Sequence, residues 1–158
     1  MLQSSDAHPI QTNETPARRQ SISPAVIAWL RLARVYHKID HRTASTVSAW
    51  DLSVSRFDVL NHVGAQEGRN QTELANALLV TKGNICQLLD SMERDDLVER
   101  QRQGRNKCVY LTERGRQIRE ESVRVQEDKI AIEFSALSED EQGTLARLLR
   151  KLERSLPD

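Results

Sequence analysis

Thr81-Lys-Gly-Asn-Ile-Cys-Gln-Leu-Leu-Asp-Ser-Met-Glu-Arg94, followed across Asp95-Asp96 by Leu97-Val-Glu-Arg-Gln-Arg-Gln-Gly-Arg-Asn-Lys-Cys-Val-Tyr-Leu111, is the stretch that decides the fold. Thr81 offers a hydroxyl N-cap, and Ile85, Leu88, Leu89 and Met92 recur at helical spacing on one stripe. The opposite face is left to Gly83, Asn84 and Gln87. After Asp95-Asp96 the period changes. Leu97 to Gln101 and Lys107 to Leu111 read as short strands joined by a basic turn around Gly104.

Working outward, Asn70-Gln-Thr-Glu73 has the form of a capping box and opens a helix of about two turns carrying Leu74, Ala75, Ala77 and Leu78. Before it, Ser53 starts a short amphipathic helix with Val54, Phe57, Leu60 and Val63, ended by Gly64 and Gly68. Ser23-Pro24 opens a first helix that runs past His41, with Val26, Ile27, Leu30, Ala33 and Ile39 largely on one face. On the other side, Thr112 caps a long charged helix. Ser138-Glu-Asp-Glu141 is a second capping box, opening a final helix with Leu145, Leu148, Leu149, Leu152 and Leu156. Met1 to Ile22 is rich in Ser, Thr, Gln, Asn and Pro, shows no period, and is expected to be disordered.

This order predicts a mainly α chain with one small β-hairpin: a winged helix-turn-helix over residues 51–112, flanked by a helical dimerisation region at 23–50 and 113–158 behind a disordered tail at 1–22. The terminal helices carry apolar stripes that so small a unit cannot cover alone, so a homodimer is expected.

Composition narrows the function. The 158 residues are 38% hydrophobic, and the longest uninterrupted apolar run, Ala25 to Leu30, is far short of a membrane span. No secretory core is found in residues 1–20, and two cysteines do not make a disulfide framework, so a cytoplasmic location is expected and no membrane partner. Lys plus Arg and Asp plus Glu are equal at 23 each, so an anionic partner must be met by a local patch. Residues 100–107 are that patch, with Arg100, Arg102, Arg105 and Lys107 and no acid. An enzyme would need a nucleophile with its base, a metal constellation or a phosphate-cradling glycine loop, and the sequence offers none of these. His37 and His41 stand one helical turn apart with His62 beyond them, but no acidic or cysteine cluster matches them, so neither metal nor cofactor is expected.

Leu52-Ser-x-x-x-Phe57-x-Val59-Leu60, Thr72-Glu-Leu-Ala75, Lys82-Gly-Asn-Ile85, Leu97-Val-Glu-Arg100 and Leu111-Thr-Glu-Arg-Gly115 occur in order, and in this the chain resembles the MarR family of transcriptional regulators over roughly residues 25–155. The resemblance implies a homodimeric repressor or activator that binds double-stranded DNA. Helix physics agrees, because only the N-terminal half of a helix laid into a major groove reaches base edges. Thr81 and the free N–H groups of the first turn suit phosphate, Lys82 adds charge, and Gly83 lets the backbone approach. Asn84 and Gln87 present amides that match the adenine edge. Thr72 and Cys86 flank them. Arg105 is placed in the minor groove and Arg102 on phosphate, with Arg100 and Lys107 completing the contact set.

Relatives usually carry Asp-Arg-Arg before the second strand, where this chain has Gln103-Gly104-Arg105, and an acid-glycine pair where it has Asp95-Asp96. The resemblance further implies release of DNA, as from an inverted-repeat operator, by a small aromatic acid or phenol. Trp29, Arg34, Tyr36, His37, Trp50 and His62 are the candidates for a cleft that needs a cation and an aromatic wall. Two other readings stand beside this one: a winged helix that contacts protein rather than DNA, and a thiol sensor using Cys86 and Cys108.

Overall fold

The structure is a computed structural model and describes residues 22–157. The tail expected over residues 1–22 therefore lies outside the described residues, Ile22 excepted. Helix α1 (Pro24–Val47) leads through a single 3-10 turn (Ser48–Trp50) into α2 (Val54–Ala65), α3 (Gln71–Ala77) and α4 (Lys82–Arg94). An antiparallel hairpin follows, β1 (Val98–Gln103) and β2 (Asn106–Leu111), and then α5 (Glu113–Glu133) and α6 (Glu139–Glu153).

The helices begin at the residues the sequence marks as caps. Ser53 Oγ accepts from Arg56 N at 3.3 Å, Thr81 Oγ1 from Asn84 N at 3.2 Å and Thr112 Oγ1 from Gly115 N at 2.9 Å. Both capping boxes close, Asn70 with Glu73 and Ser138 with Glu141. The fully buried core comprises Val59, Leu60, Val63, Leu74, Ile85, Leu89, Met92 and Val109, with Val47 joining from the end of α1. Leu88, expected on the buried stripe of α4, is only half-buried. Helix α6 buries nothing within the protomer, and the first half of α1 leaves Val26, Ile27, Trp29 and Leu30 in solvent.

The strands run further toward the tip than the sequence suggests, to Gln103 and Asn106 rather than Gln101 and Lys107. Gly104 at φ +61 takes the first of two loop positions and Arg105 has no positive φ, which is the pattern of a type II′ turn. Such a turn matches the twist of the strands, so pairing continues to its edge. The body meets the hairpin through β2: Val109 N donates to Arg69 O at 2.9 Å and Gly68 N to Val109 O at 3.0 Å.

Among the described residues, three other than glycine adopt the left-handed conformation: Asp51, Leu79 and Asp96. Asp96 closes the end of α4 in place of a glycine, and a short polar side chain tolerates that well. Leu79, in the turn between α3 and α4, does not; it sits at φ +52 with 92% of its surface exposed. The strain has no packing to offset it. Leu79→Gly is therefore expected to stabilise the chain, by about 1 kcal/mol, and a urea unfolding curve whose midpoint falls instead would contradict this.

Candidate nucleic-acid interface

The N-terminal half of α4 stands free of the body. Thr81, Lys82, Gly83, Asn84 and Gln87 are all exposed, and Thr81 spends an oxygen lone pair on capping Asn84 N while its hydroxyl hydrogen remains able to donate. A Cβ on Gly83 would meet only Thr81 Oγ1, at 3.9 Å. Nothing inside the chain requires glycine there, and an exposed first-turn glycine costs helix stability, so the open backbone faces outward. Cys86 is turned toward α3, its thiol donating to Gln71 Oε1 at 3.7 Å. Thr72, in the first turn of α3, is exposed beside it.

At the hairpin tip Arg102, Arg105 and Lys107 are exposed, and Arg102 and Lys107 are paired across the strands. Arg102 Nε reaches only the carbonyl of Gly104, at 3.3 Å. Among the described residues neither these three nor Lys82 forms an ion pair. Cys108 is buried in β2. The arrangement supplies helix N–H groups and side-chain amides on one element and uncompensated cations on another.

Arg100 is placed elsewhere than the sequence suggests. Its side chain is only 15% exposed, and its guanidinium donates to Asp90 Oδ1 at 2.5 Å and to Glu93. It is turned into α4, not outward. The hydrogen bond from Arg100 holds the Glu93 carboxyl below the ordinary carboxylate range. A depressed carboxylate contributes stability above its unfolded pKa and loses it as pH falls through the folded one, so the pair is intact at neutral pH.

The six aromatic and basic residues read as an effector cleft are not brought together in the protomer. Trp29, Arg34, Tyr36 and His37 lie exposed on α1, with the Tyr36 and His37 rings edge to face at 5.6 Å. Trp50 lies beyond the far end of that helix, its indole N–H donating to Glu121 Oε2 at 3.1 Å. At 1.5 Å per residue, α1 alone separates Trp29 from Val47 by roughly 27 Å. His62 is on α2, beside Asp58, whose carboxyl is pushed up by burial while His62 pulls it down.

What the fold does form is a groove of about 620 Å³ between α2 and α5, lined by Phe57, Asn61, Arg119, Val123, Ile130 and Phe134. Arg119 lies across Gly64, where a Cβ would come within 2.3 Å of its side chain. Arg119 Nε, Asn61 Oδ1 and Gln126 Oε1 are buried without a hydrogen-bond partner, although Gln126 Nε2 donates to Thr43 Oγ1 at 2.7 Å. This is a cation between apolar and aromatic walls, and no motif or spacing along the chain marks it. Phe57 reads as plain core and Arg119 as one more charge on a charged helix.

Among the described residues no group of three or more His, Cys, Asp or Glu side chains is placed to hold a metal, and no helix is long and apolar enough to cross a membrane.

A family model described as MarR family matches residues 50–107. An uncharacterised HTH-type transcriptional regulator of Bacillus cereus is 29% identical over 132 residues, covering 81% of this chain and 88% of its own. The transcriptional regulator HosA of Escherichia coli is 26% identical over 128 residues, covering 75% of this chain and 94% of its own. Among solved structures, a mutant MarR from Escherichia coli complexed with operator DNA superposes with a TM-score of 0.74 at 29% identity, over 84% of this chain and 96% of that one. The fold is also that of AbsC from Streptomyces coelicolor, TM-score 0.77 at 18% identity, over 85% and 96% of the two chains.

Proposed function

We propose that the chain is a transcriptional regulator of the MarR family, whose model and relatives it matches, and that it is a homodimeric repressor that reads an inverted-repeat operator with α4 in the major groove and the hairpin tip at the minor groove. Residues 51–112 form the DNA-binding unit in this reading, and residues 23–50 and 113–158 the dimerisation region. The observation that carries it is the exposed polar start of α4 beside a hairpin tip whose cations, Arg102, Arg105 and Lys107, form no ion pair among the described residues. Asn84 and Gln87 read base edges. Thr81, Lys82 and the first-turn N–H groups hold phosphate, with Thr72 and Cys86 at the flank. Arg105 enters the minor groove, and Arg102 and Lys107 take the backbone. That a similar structure, a mutant MarR from Escherichia coli, is complexed with operator DNA supports DNA as the partner. The dimer is supported by the apolar surface left on α1 and α6, where Trp29 is 63% and Leu148 52% exposed.

Selection of bound sites from random duplexes tests this. A two-fold dimer should enrich symmetric half-sites about 34 Å apart, centre to centre. Single asymmetric sites bound by one protomer would contradict the dimeric reading, and association insensitive to salt would favour a protein partner instead.

The groove between α2 and α5 is the effector site in this proposal, with Arg119 taking the carboxylate of a small aromatic acid and Phe57 and Phe134 its ring. Using benzoate as the probe, Arg119→Gln should raise the concentration that releases DNA about tenfold, the loss of one charge-assisted hydrogen bond. An unchanged response would place the ligand elsewhere.

A further inference from the structure

The basic segment 100–107 divides in two: Arg102, Arg105 and Lys107 face solvent, and Arg100 faces α4. Asp90 and Glu93 stand one turn apart on the second half of α4, both toward β1. Between them they take two kinds of donor from one residue. Arg100 N donates to Glu93 Oε1 at 2.9 Å, and the Arg100 guanidinium bridges Asp90 Oδ1 and Glu93 Oε2.

The register explains why the main-chain bond is available. Arg100 pairs with Val109, and Val109 N donates outward to Arg69 O. Arg100 sits opposite at a position that is not hydrogen-bonded across the ladder, so its N–H points out of the sheet on the other edge. Without a partner it would be an open edge donor. Glu93 takes it. The hairpin root is thus held on both sides, by Arg69 and Asn70 on β2 and by α4 on β1, whereas residues 101–107 are exposed throughout.

We propose that Arg100 is a positioning residue, which fastens the wing to the second half of α4 so that the helix and the hairpin tip meet DNA as one rigid body. The inference rests on the DNA-binding reading above and assigns Arg100 a place in it that touches no phosphate. It also bears on charge. Asp90 and Glu93 would otherwise put two bare carboxylates on the helix that must approach a polyanion, and Arg100 offsets one of the two negative charges.

The test separates positioning from contact by the salt dependence of binding. Arg100→Gln is expected to weaken the selected duplex about tenfold, the order of a lost hydrogen-bonded charge, with the slope of log affinity against log salt unchanged. Arg102→Ala, which removes a phosphate contact, should make that slope shallower by about one unit. Glu93→Gln should also weaken binding although it makes the chain more positive, because it loosens the same fastening. If Arg100→Gln does not fold, Arg100→Lys carries the test with the same expected sign, since a lysine ammonium ends one bond short of Nη2, the nitrogen that donates to both carboxylates. A slope shallower by one unit in the Arg100 variant, or an affinity equal to wild type, overturns the proposal.

Amide hydrogen exchange on the free protein tests the fastening without DNA. The amide at position 100 should exchange faster in Glu93→Ala, which removes its acceptor, and equal protection overturns the proposal. Absence of DNA binding by the wild-type chain would instead defeat the DNA-binding reading and leave that exchange measurement to decide the fastening.

Discussion

Replacing Gly115 by alanine is expected to destabilise the chain by on the order of 3 kcal/mol or more, a large share of a domain's usual margin. Gly115 is buried in the first turn of α5, which lies directly on the start of β1; a Cβ there would stand 1.9 Å from Leu97 O and 2.9 Å from Leu97 C. Both are backbone atoms and cannot swing aside. Moving them would break the bond from Thr112 N to Leu97 O, 3.2 Å, that seats α5 against the hairpin root. Urea unfolding followed by circular dichroism should show a midpoint well below wild type. Gly64→Ala makes an instructive control, because there the obstacle is the flexible side chain of Arg119 and a much smaller loss is expected. A Gly115→Ala variant as stable as wild type would mean that α5 does not sit on Leu97 as described.

The second large effect concerns the dimer. Leu148 and Leu152 on α6 are about half exposed, 52% and 50%, and make no contribution to the protomer core. Leu148→Asp combined with Leu152→Asp should therefore leave each protomer folded, while placing charges in the surface that the proposed partner covers. Sedimentation should change from dimer to monomer. Affinity for an inverted repeat should fall by more than about a hundredfold, because the second half-site no longer adds to the first. A folded double variant that still sediments as a dimer would move the interface away from α6.

The caps at Ser53, Asn70, Thr81, Thr112 and Ser138 could be read from the chain because a cap is local: the side chain and the N–H it accepts from lie within three residues. The motif Leu111-Thr-Glu-Arg-Gly115 was legible in the same way, but its reason was not, since the glycine answers to Leu97 on another element. Arg100 shows the same limit from the other direction. Its type and its neighbours mark it as one of a basic run, and only Asp90 and Glu93, brought across from α4, turn it inward. The groove was hidden because it belongs to the packing of α2 on α5, and no spacing along either helix announces Arg119 or Phe134 as its walls. The strands proved longer than their apolar pattern because turn geometry, not hydrophobicity, sets where a hairpin tip ends.

In the proposed complex the start of α4 reads sequence while the wing supplies charge. The most direct measurement is the affinity of wild type, Gln87→Ala and Arg105→Ala for a selected and a random duplex across a range of salt. Gln87→Ala should lose roughly 1 to 3 kcal/mol on the selected duplex alone, with an unchanged salt slope. Arg105→Ala should weaken both duplexes and make the slope shallower by about one unit. Equal weakening of selected and random duplexes by Gln87→Ala would contradict the placement of α4 in the major groove.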